Sequence, residues 1–272
     1  WSHPATQRNV DTLQADGTII LGPDSGDQAC GEVGDGRMLE PEVLRDALIG
    51  HFQPKILSGR RLLITAGPTF EPIDPVRGIT NHSSGKMGFA LARAAQEAGA
   101  EVTLVAGPVH LPTPRGVTRI DVQSAQDMYN AVLSHVDRAN IFVANAAVAD
   151  WRVAHVAEQK IKKTAQGDTP ALQFTENPDI LAEVAKSARA KSGALFCVGF
   201  AAESHDLHKN AQAKREKKSV PLLVGNIGPA TFGSDENALL LVDAKGTQEI
   251  PQANKLELAR KLVAEIAQRI KH

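Results

Sequence analysis

One feature limits the possible folds most: an apolar run that leads, through a long link, into an alanine-rich segment. Leu62-Leu63-Ile64 is typical of a buried parallel strand, and residues 86–98 are typical of a helix. The link between them contains Pro68, Pro72 and Pro75, which restrict its backbone. A long, stiff connection after a parallel strand is more often a binding loop than a passive link.

The start of this helix predicts an anion site. Ser83 and Ser84 are candidate N-caps, and the first helical amides lack backbone partners and carry the positive end of the helix dipole. Asn81 and His82 add further polar groups. The stretch matches neither the G-x-G-x-x-G dinucleotide fingerprint nor the P-loop. A glycine turn without a ligand is the alternative interpretation.

From Arg61 onward, strand and helix patterns alternate. Strands are predicted at 62–64, 101–106, 141–144, 195–200, 221–224 and 238–242, with another at 247–250. Helices are predicted after Ser124 (125–136), from an Asn177-Pro178 start through 190, over 205–218 and over 256–270. This order predicts an α/β fold: a Rossmann-like, doubly wound, mostly parallel sheet with helices on both faces.

The first fifty residues have a different pattern. A helix is predicted over 6–15, a strand over 17–21, a polar glycine-dense stretch over 22–37 and a helix from Pro41 to Ile49. So short a segment cannot bury a core of its own. We therefore expect residues 1–50 to be the end of another domain, 51–60 to be a linker, and 61–272 to be the main domain.

Composition restricts the partners. The net charge of −1 and the 4% aromatic content argue against nucleic acid as a partner. The sequence shows neither a membrane-spanning run nor a signal-peptide pattern, so no membrane partner is expected. Two cysteines do not form a disulfide framework, which favours a cytoplasmic location.

Further candidate residues lie at the predicted strand ends. Ala146 and Ala147 are small enough for a planar ligand to approach the backbone, and Asp150 is an acid that could contact a base, a ribose or a metal-bridged phosphate. The alternative for Asp150 is a helix or turn cap. His residues lack metal-ligand spacing, and no G-x-S-x-G elbow is present.

A basic run follows Asp150. The segment Lys160-Ile161-Lys162-Lys163 could close over a polyphosphate and neutralise charge on a leaving group, although such runs are usually solvated faces. Lys214 and Lys218, four residues apart on a predicted helix, could add to this field or serve solubility. Cys197 is predicted to be core, whereas Cys30 could act as an acid in a closing flap.

Several motifs together resemble one family. TAGPTFEPIDPVRGITNHSSGKMG (65–88), NAAVADWR (145–152), KIKK (160–163), ENPDIL (176–181) and VGFAAES (198–204) look like phosphopantothenate–cysteine ligase. The resemblance runs from Arg61 to about Ile270. In many bacteria such a ligase is fused behind a flavin-dependent phosphopantothenoylcysteine decarboxylase. HPATQRN (3–9) and GPDSGDQACGEVGDGRM (22–38) resemble the end of that decarboxylase and its flap.

The resemblance implies a two-step ligation. CTP and phosphopantothenate would give an acyl-cytidylate and pyrophosphate, and the amine of cysteine would then displace CMP. Asn81 would orient the acyl group and Lys160 would contact the triphosphate. Mg²⁺ would accompany CTP, with Asp179 near it, and a homodimer is implied. The family's CTP-contacting positions fall on Gly67, Thr69, Ser83, Ser84, Gly85, Lys86, Met87, Gly88, Ala144, Asn145, Ala146, Ala147, Asp150, Lys160, Asn177, Pro178, Asp179, Ile180, Phe200, Lys214 and Lys218.

The first region departs from the full family pattern. Cys30 matches the proton donor of the decarboxylase, but the flavin-binding half and the histidine base would precede Trp1. We therefore expect FMN to serve only the missing half and this chain to lack decarboxylase activity. Two other functions stay open: an NAD(P)-dependent oxidoreductase on a similar sheet, which the missing fingerprint disfavours, and a nucleotide-binding module without catalysis.

Overall fold

The computed structural model describes residues 1–28, 31–162, 171–203, 207–227 and 236–270, in two compact units. The units meet in sequence between Gln53 and Pro54, within the predicted linker. Leu57, inside that predicted linker, is fully buried in the core of the second unit. Within the described residues, no helix combines the length and apolar character that crossing a bilayer requires.

The first unit is small and mostly exposed. Its described residues form two helices and one antiparallel pair of strands: α1 (Pro4–Ala15), β1 (Asp24–Asp27), β2 (Val33–Arg37) and α2 (Pro41–His51). Pro41 occupies the start of α2, as predicted. The predicted strand at 17–21 is wrong, because Gly17 and Gly22 both have left-handed φ values, 86° and 95°, which interrupt extended backbone.

The second unit is built on one eight-stranded sheet. Its strands, in chain order, are β3 (Arg61–Ala66), β6 (Glu101–Ala106), β7 (Val117–Asp121), β8 (Ile141–Ala144), β11 (Phe196–Glu203), β12 (Leu222–Ile227), β13 (Glu236–Asp243) and β14 (Gly246–Asn254). In the part of this unit that the structure describes, two small antiparallel pairs lie outside the sheet: β4 (Phe70–Pro72) with β5 (Gly78–Thr80), and β9 (Trp151–Val153) with β10 (Phe174–Glu176).

The strand order indicates where in the sheet a ligand would bind. Across the sheet the order is β14-β13-β12-β11-β8-β3-β6-β7, and the pairs from β12 to β7 are parallel. The chain moves outward from β3 in one direction and then, from β8, in the other. Ligands bind at the carboxyl ends of strands at such a reversal. The predicted doubly wound, mostly parallel sheet is confirmed, with β13 as an antiparallel addition.

Helices cover both faces of the sheet and divide the core. On one face lie α3 (Lys86–Glu97) and α8 (Lys255–Arg269), packed on alternate β3 residues such as Leu62 and Ile64. On the other lie α4 (Ala125–Val136), α5 (Ile180–Lys186), α6 (Ala188–Lys191) and α7 (Leu207–Lys218), with Leu63 and Phe142 beneath them. This alternation is the period-two pattern of a strand buried on both sides. Cys197 is fully buried there, as predicted, and burial raises the pKa of its thiol to about 12.

A buried carboxylate joins α3 to α8. Glu97, 5% exposed, accepts hydrogen bonds from Arg93 Nε (2.9 Å) on its own helix and from Arg260 Nε (2.8 Å) on α8. An unpaired buried charge is costly, and the two arginines supply the pairing and hydrogen bonds that this carboxylate needs.

The helix predicted to continue to residue 190 is interrupted. Ser187 has extended backbone, with φ −60° and ψ 153°, and it ends α5 while its side chain caps α6 by accepting from Ala190 N. A serine with this dual role breaks a helix that the apolar pattern alone would continue.

Candidate active site

A cleft opens at the carboxyl edge of the sheet, beside the start of α3. Its walls come from the α3 start, the loop after β8, the ends of β11 and β12, and the first residues of β13 and α8. The lining residues are Ser83, Ser84, Gly85, Lys86, Met87, Asn145, Ala146, Ala147, Phe200, Asn226, Asn237 and Lys255. All but the last three were predicted from the sequence. The predicted residues lie far apart in the chain, and the fold brings them together.

The loop after β3 is tied to the loop after β8. Ala147 N donates to the carbonyl of Gly67 (2.9 Å), and Thr69 Oγ1 accepts from Ala149 N (3.0 Å). Gly67 needs its left-handed φ of 78°, and a Cβ there would lie 3.0 Å from Val109 Cγ1. Gly67 and Thr69 are buried, so they position the cleft wall instead of lining it.

The start of α3 differs from the predicted cap. The N-cap is Gly85, with φ 74°, and not Ser83 or Ser84; no side chain of the described residues caps this helix. Ser83 Oγ instead accepts from Gly85 N (3.4 Å). The first amides of α3 therefore keep their capacity to bind an anion at the cleft.

Gly88 brings α3 close to β3. A Cβ at this position would lie 2.4 Å from Ala66 Cβ and 2.7 Å from Asn145 Oδ1. No side chain larger than hydrogen fits without moving the strand or the loop. The predicted position Gly88 is thus a packing requirement for the cleft. Ala144 on β8, which pairs with Thr65 of β3, packs against the core on the other face of the sheet.

Asn81 connects the segment between β3 and α3 to the cleft wall. Its side-chain Nδ2 donates to the carbonyl of Ala147 (2.8 Å), and the residue is exposed. The side-chain oxygen takes no part in this bond, so Asn81 is positioned at the cleft edge by one half of its amide.

The Lys160 segment is fixed by two residues whose role the sequence analysis missed. Asp74 Oδ2 accepts from Ile161 N (3.1 Å), and Arg77 Nη2 donates to the carbonyl of Ile161 (2.8 Å). The Arg77 guanidinium also bonds the buried Asp74 carboxylate and holds its pKa well below the usual range. Lys160 itself is exposed.

The signal for this anchor was present in the sequence. Asp74 accepts from the backbone amides of Val76 and Arg77 (2.9 Å each), the turn geometry that aspartate favours. Asp followed by Pro, with Arg three residues on, therefore indicated a turn that closes on its own carboxylate. Lys163 lies outside the described residues.

A second group of predicted residues lies at the start of α5. The cap is Asp179, which accepts from Ala182 N (3.0 Å), and not the predicted Asn177-Pro178 pair. Asn177 instead donates from Nδ2 to the carbonyl of Ala149 (2.9 Å), and its backbone amide donates to the carbonyl of the exposed Asp150 (2.8 Å). These contacts attach the α5 start to the loop after β8.

Charge at the α5 start is already paired. Lys218 of α7 forms an ion pair with Asp179, which lowers the carboxylate pKa against the opposing effect of burial. Ile180 is core, and Lys214 is half-buried on α7. None of these residues lines the cleft beside α3. The predicted residues at the α5 start and on α7 therefore form a group separate from the cleft residues.

Asp179, the residue predicted to lie near Mg²⁺, is not part of a larger group of metal-binding side chains among the described residues. Among the described residues, no three His, Cys, Asp or Glu side chains are grouped so that they could hold a metal ion. Mg²⁺ held through nucleotide phosphates needs only one or two protein carboxylates, so Asp179 is compatible with that use. Cys30, the other predicted chemical group, lies outside the described residues.

Three cleft residues were missed: Asn226 at the end of β12, Asn237 in β13 and Lys255 at the start of α8. Asn237 is 5% and Lys255 9% exposed. The apolar stripe of the last helix predicted only packing, so its first residue attracted no attention. For Asn226 the sequence did contain a signal: it is a polar residue just after the predicted apolar strand at 221–224, where ligand-binding residues of parallel sheets lie.

Comparisons with known proteins agree with this geometry. Residues 57–270 match the family described as DNA/pantothenate metabolism flavoprotein C-terminal domain. The chain is 52% identical over 258 residues to the coenzyme A biosynthesis bifunctional protein CoaBC of Vibrio cholerae, covering 94% of this chain. The chain spans 64% of the length of that relative.

Two solved structures are similar. The crystal structure of the C-terminal domain of CoaBC is 35% identical, with a TM-score of 0.67, and the match covers 80% of this chain and 98% of that one. A Cab2 mutant in complex with phosphopantothenate-cysteine has a TM-score of 0.65 at 16% identity, covering 84% of this chain and 90% of that one. At that identity the second match shows a common fold alone.

Proposed function

Since the chain belongs to the family of DNA/pantothenate metabolism flavoprotein C-terminal domains, we propose that it is a CTP-dependent phosphopantothenate–cysteine ligase. One observation carries the proposal. The helix-start, alanine-loop and Phe200 positions predicted for this chemistry converge on a single cleft at the strand-order reversal. The names of the similar proteins, which assign them to coenzyme A biosynthesis, support it.

The reaction has two transfers. A carboxylate oxygen of phosphopantothenate attacks the α-phosphorus of CTP, and the bond to pyrophosphate breaks. The amine of cysteine then attacks the acyl carbon, CMP leaves with the bonding pair, and the amine loses a proton. A carboxylate resists direct attack at neutral pH, so the first step provides the leaving group. Such transfers depend on positioning and charge and need no covalent enzyme intermediate.

The chain supplies three means of positioning. Anionic groups bind the uncapped amides at the α3 start. Lys160, next to the Ile161 backbone that Asp74 and Arg77 anchor, balances charge on the departing pyrophosphate. The small residues Ala146 and Ala147 let a planar group approach the backbone. Mg²⁺ with the nucleotide would supply further charge neutralisation, with Asp179 as its protein contact, and the ligase domain would form a homodimer.

A pyrophosphate-release assay with cysteine omitted tests the function. We expect release with CTP that depends on phosphopantothenate and is much slower with ATP. CTP binding without any release would favour a non-catalytic nucleotide-binding module. Binding of a nicotinamide cofactor, with no release, would favour an oxidoreductase.

The two half-reactions can be separated at Asn81. Asn81→Asp should still form the cytidylate but stall before the amide, because the variant loses the N–H that bonds Ala147 and places a negative charge beside the acyl group. Pyrophosphate release and amide formation are measured separately. Asn130→Asp, an exposed position on α4, is the matched control. An unchanged amide yield in Asn81→Asp would remove this residue from the mechanism.

A further inference from the structure

A buried carboxylate joins the β4–β5 pair to the start of α4. Glu71, in the middle of β4, is only 1% exposed, and its Oε1 accepts from the backbone amide of Ala125 (2.8 Å). Ala125 is the first residue of α4 and lies 54 positions away in the chain. The contact therefore ties the small strand pair to a helix that covers the main sheet.

Glu71 is one of three buried acceptors in the segment between β3 and α3. Thr69 Oγ1 accepts from Ala149 N in the loop after β8 (3.0 Å), and Asp74 Oδ2 accepts from Ile161 N (3.1 Å). Thr69 is fully buried and Asp74 is 2% exposed. Each of the three acceptors holds a backbone amide of a different part of the fold, and Glu71 is the acceptor that reaches a helix.

Helix α4 has a complete cap without Glu71. Ser124 Oγ accepts from Asp127 N (3.1 Å), and the Asp127 carboxylate accepts from Ser124 N (2.9 Å), which is a capping box. Glu71 adds an acceptor from outside the helix, at the positive end of the helix dipole, where a carboxylate is favoured. A backbone bond runs beside it, since Phe70 N donates to the carbonyl of Gln123 (2.8 Å). The α4 start is therefore an attachment point for β4.

The attached strand pair supports a residue that the proposed reaction uses. Its turn carries Asp74 and Arg77, which both bond the backbone of Ile161. Ile161 is next to Lys160, the residue proposed to balance charge on the departing pyrophosphate. Glu71 is too deeply buried to touch a substrate, so its effect on turnover has to pass through residues that the strand pair supports.

We propose, building on the proposed ligase function, that Glu71 is a positioning residue for Lys160. By holding β4 against the start of α4, its carboxylate fixes the base from which Asp74 and Arg77 reach the Lys160 segment. The contacts run from α4 through Glu71 and the turn to Ile161. Glu71 thus contributes to turnover through the lysine and without contact with substrate.

A double-mutant cycle of Glu71 and Lys160 tests this role. Glu71→Met removes the acceptor of the buried Ala125 amide while keeping a side chain of similar length. We expect kcat for pyrophosphate release to fall about tenfold, with the KM values for CTP and phosphopantothenate within about threefold of wild type. In a Lys160→Gln background, the same change should lower kcat less than about threefold, because the lysine that Glu71 positions is already absent.

Two variants serve as controls. Glu71→Gln keeps an oxygen that can accept from Ala125 N, so it should retain most of the wild-type kcat. Asp127→Ala is the matched change at the same helix start: it removes the capping-box bond to Ser124 inside α4 and not a bond to β4. It should leave kcat within about twofold of wild type.

Two kinetic results would overturn the inference. One is an unchanged kcat in Glu71→Met. The other is an equal loss from this substitution in the wild-type and Lys160→Gln backgrounds, which would show that Glu71 acts independently of the lysine. If Glu71→Met does not fold, Glu71→Asp, whose shorter side chain cannot span the same distance to Ala125, takes its place in the cycle.

Hydrogen exchange provides a test that does not require catalysis. The Ile161 amide should exchange at least about tenfold faster in Glu71→Met than in the wild type or in Asp127→Ala, because the turn that carries its acceptor Asp74 is less firmly held. Equal exchange in all three proteins would contradict the inference. A wild type that releases no pyrophosphate would refute the ligase function, and the exchange of the Ile161 amide would still decide whether Glu71 holds the Lys160 segment.

Discussion

The starts of α3 and α5 look alike in sequence but differ in structure. Both follow a strand end, and both carry a polar pair that suggests a cap. At α3 the N-cap is Gly85, and no described side chain caps the helix. At α5 the cap is Asp179, whose carboxylate already bonds Ala182 N and pairs with Lys218.

The difference teaches which helix start is available to an anionic ligand. No described side chain caps α3, and the start of this helix lines a cleft, whereas α5 carries its own negative charge at the same place. A phosphate is favoured at the first and repelled at the second. The α5 start is better suited to donors, such as the amines and hydroxyls of a nucleoside, or to a cation.

The largest effect is expected when the α3 start is made to resemble the α5 start. Ser84→Asp places a carboxylate beside the uncapped amides, and a like charge there costs several kcal/mol against a bound phosphate. We expect kcat/KM for phosphopantothenate to fall about a thousandfold. Steady-state kinetics with phosphopantothenate and CTP measures the change.

Ser84→Asn is the control for that charge, since it has nearly the same shape and remains neutral. It should lose less than about tenfold. Equal losses in the two variants would show that shape, and not charge, matters at the α3 start, and the contrast with α5 would lose its basis.

An intermediate effect is expected at Lys160. Lys160→Gln should lower turnover about a hundredfold or more, because it removes one preorganised charge from the departing pyrophosphate.

Lys162→Gln provides the comparison two residues away, at another exposed lysine of the same segment. It should retain nearly full turnover. If Lys160→Gln were close to wild type, the segment would be a solvated surface and its anchor at Asp74 would be structural only.

The smallest effect is expected at Asp179. Asp179→Asn preserves a good cap but removes the ion pair with Lys218, and a pair of this exposure contributes about 1 kcal/mol or less. The pKa of Asp179 is lowered from 3.8 in the folded chain, because bonds to Lys218 and Ala182 outweigh burial. Its stabilisation is therefore present above pH 3.8 and is lost as the pH falls through the folded value.

Thermal unfolding from pH 6 to pH 2.5 measures the stabilisation that the ionised Asp179 contributes. The wild type should lose stability below pH 3.8 more steeply than Asp179→Asn. Asp137→Asn, at the exposed end of α4, should leave the slope unchanged. Identical slopes in wild type and Asp179→Asn would mean that the carboxylate has no favourable charge partner in solution.

The sequence predicted the repetitive part of the fold well. The strands β6 and β8 and the helix α4, with Ser124 as its cap, have the predicted bounds. These elements have strong apolar periodicity, and local pattern determines them. The cleft residues from Ser83 to Met87 were also predicted, since a polar turn before an alanine-rich helix indicates an anion site by itself.

Long-range pairing was not predictable in the same way. The Asp74–Ile161 contact joins residues 87 positions apart, and no local pattern records it. Lys255 joins the cleft only because β14 returns to the edge where α3 begins. The caps failed for a different reason: Ser83, Ser84 and Asn177 are all good cap residues, and only backbone dihedrals decide which neighbour takes that position.

The contact of Glu97 with Arg93 and Arg260 has a consequence for evolution. One carboxylate at the far end of α3 ties α3 to α8, and the starts of these two helices both line the cleft that a substrate would enter. Selection for a longer or bulkier acid could therefore act on residues that never touch it. A comparison of substrate preference across this family should therefore include Glu97, Arg93 and Arg260 as well as the residues that line the cleft.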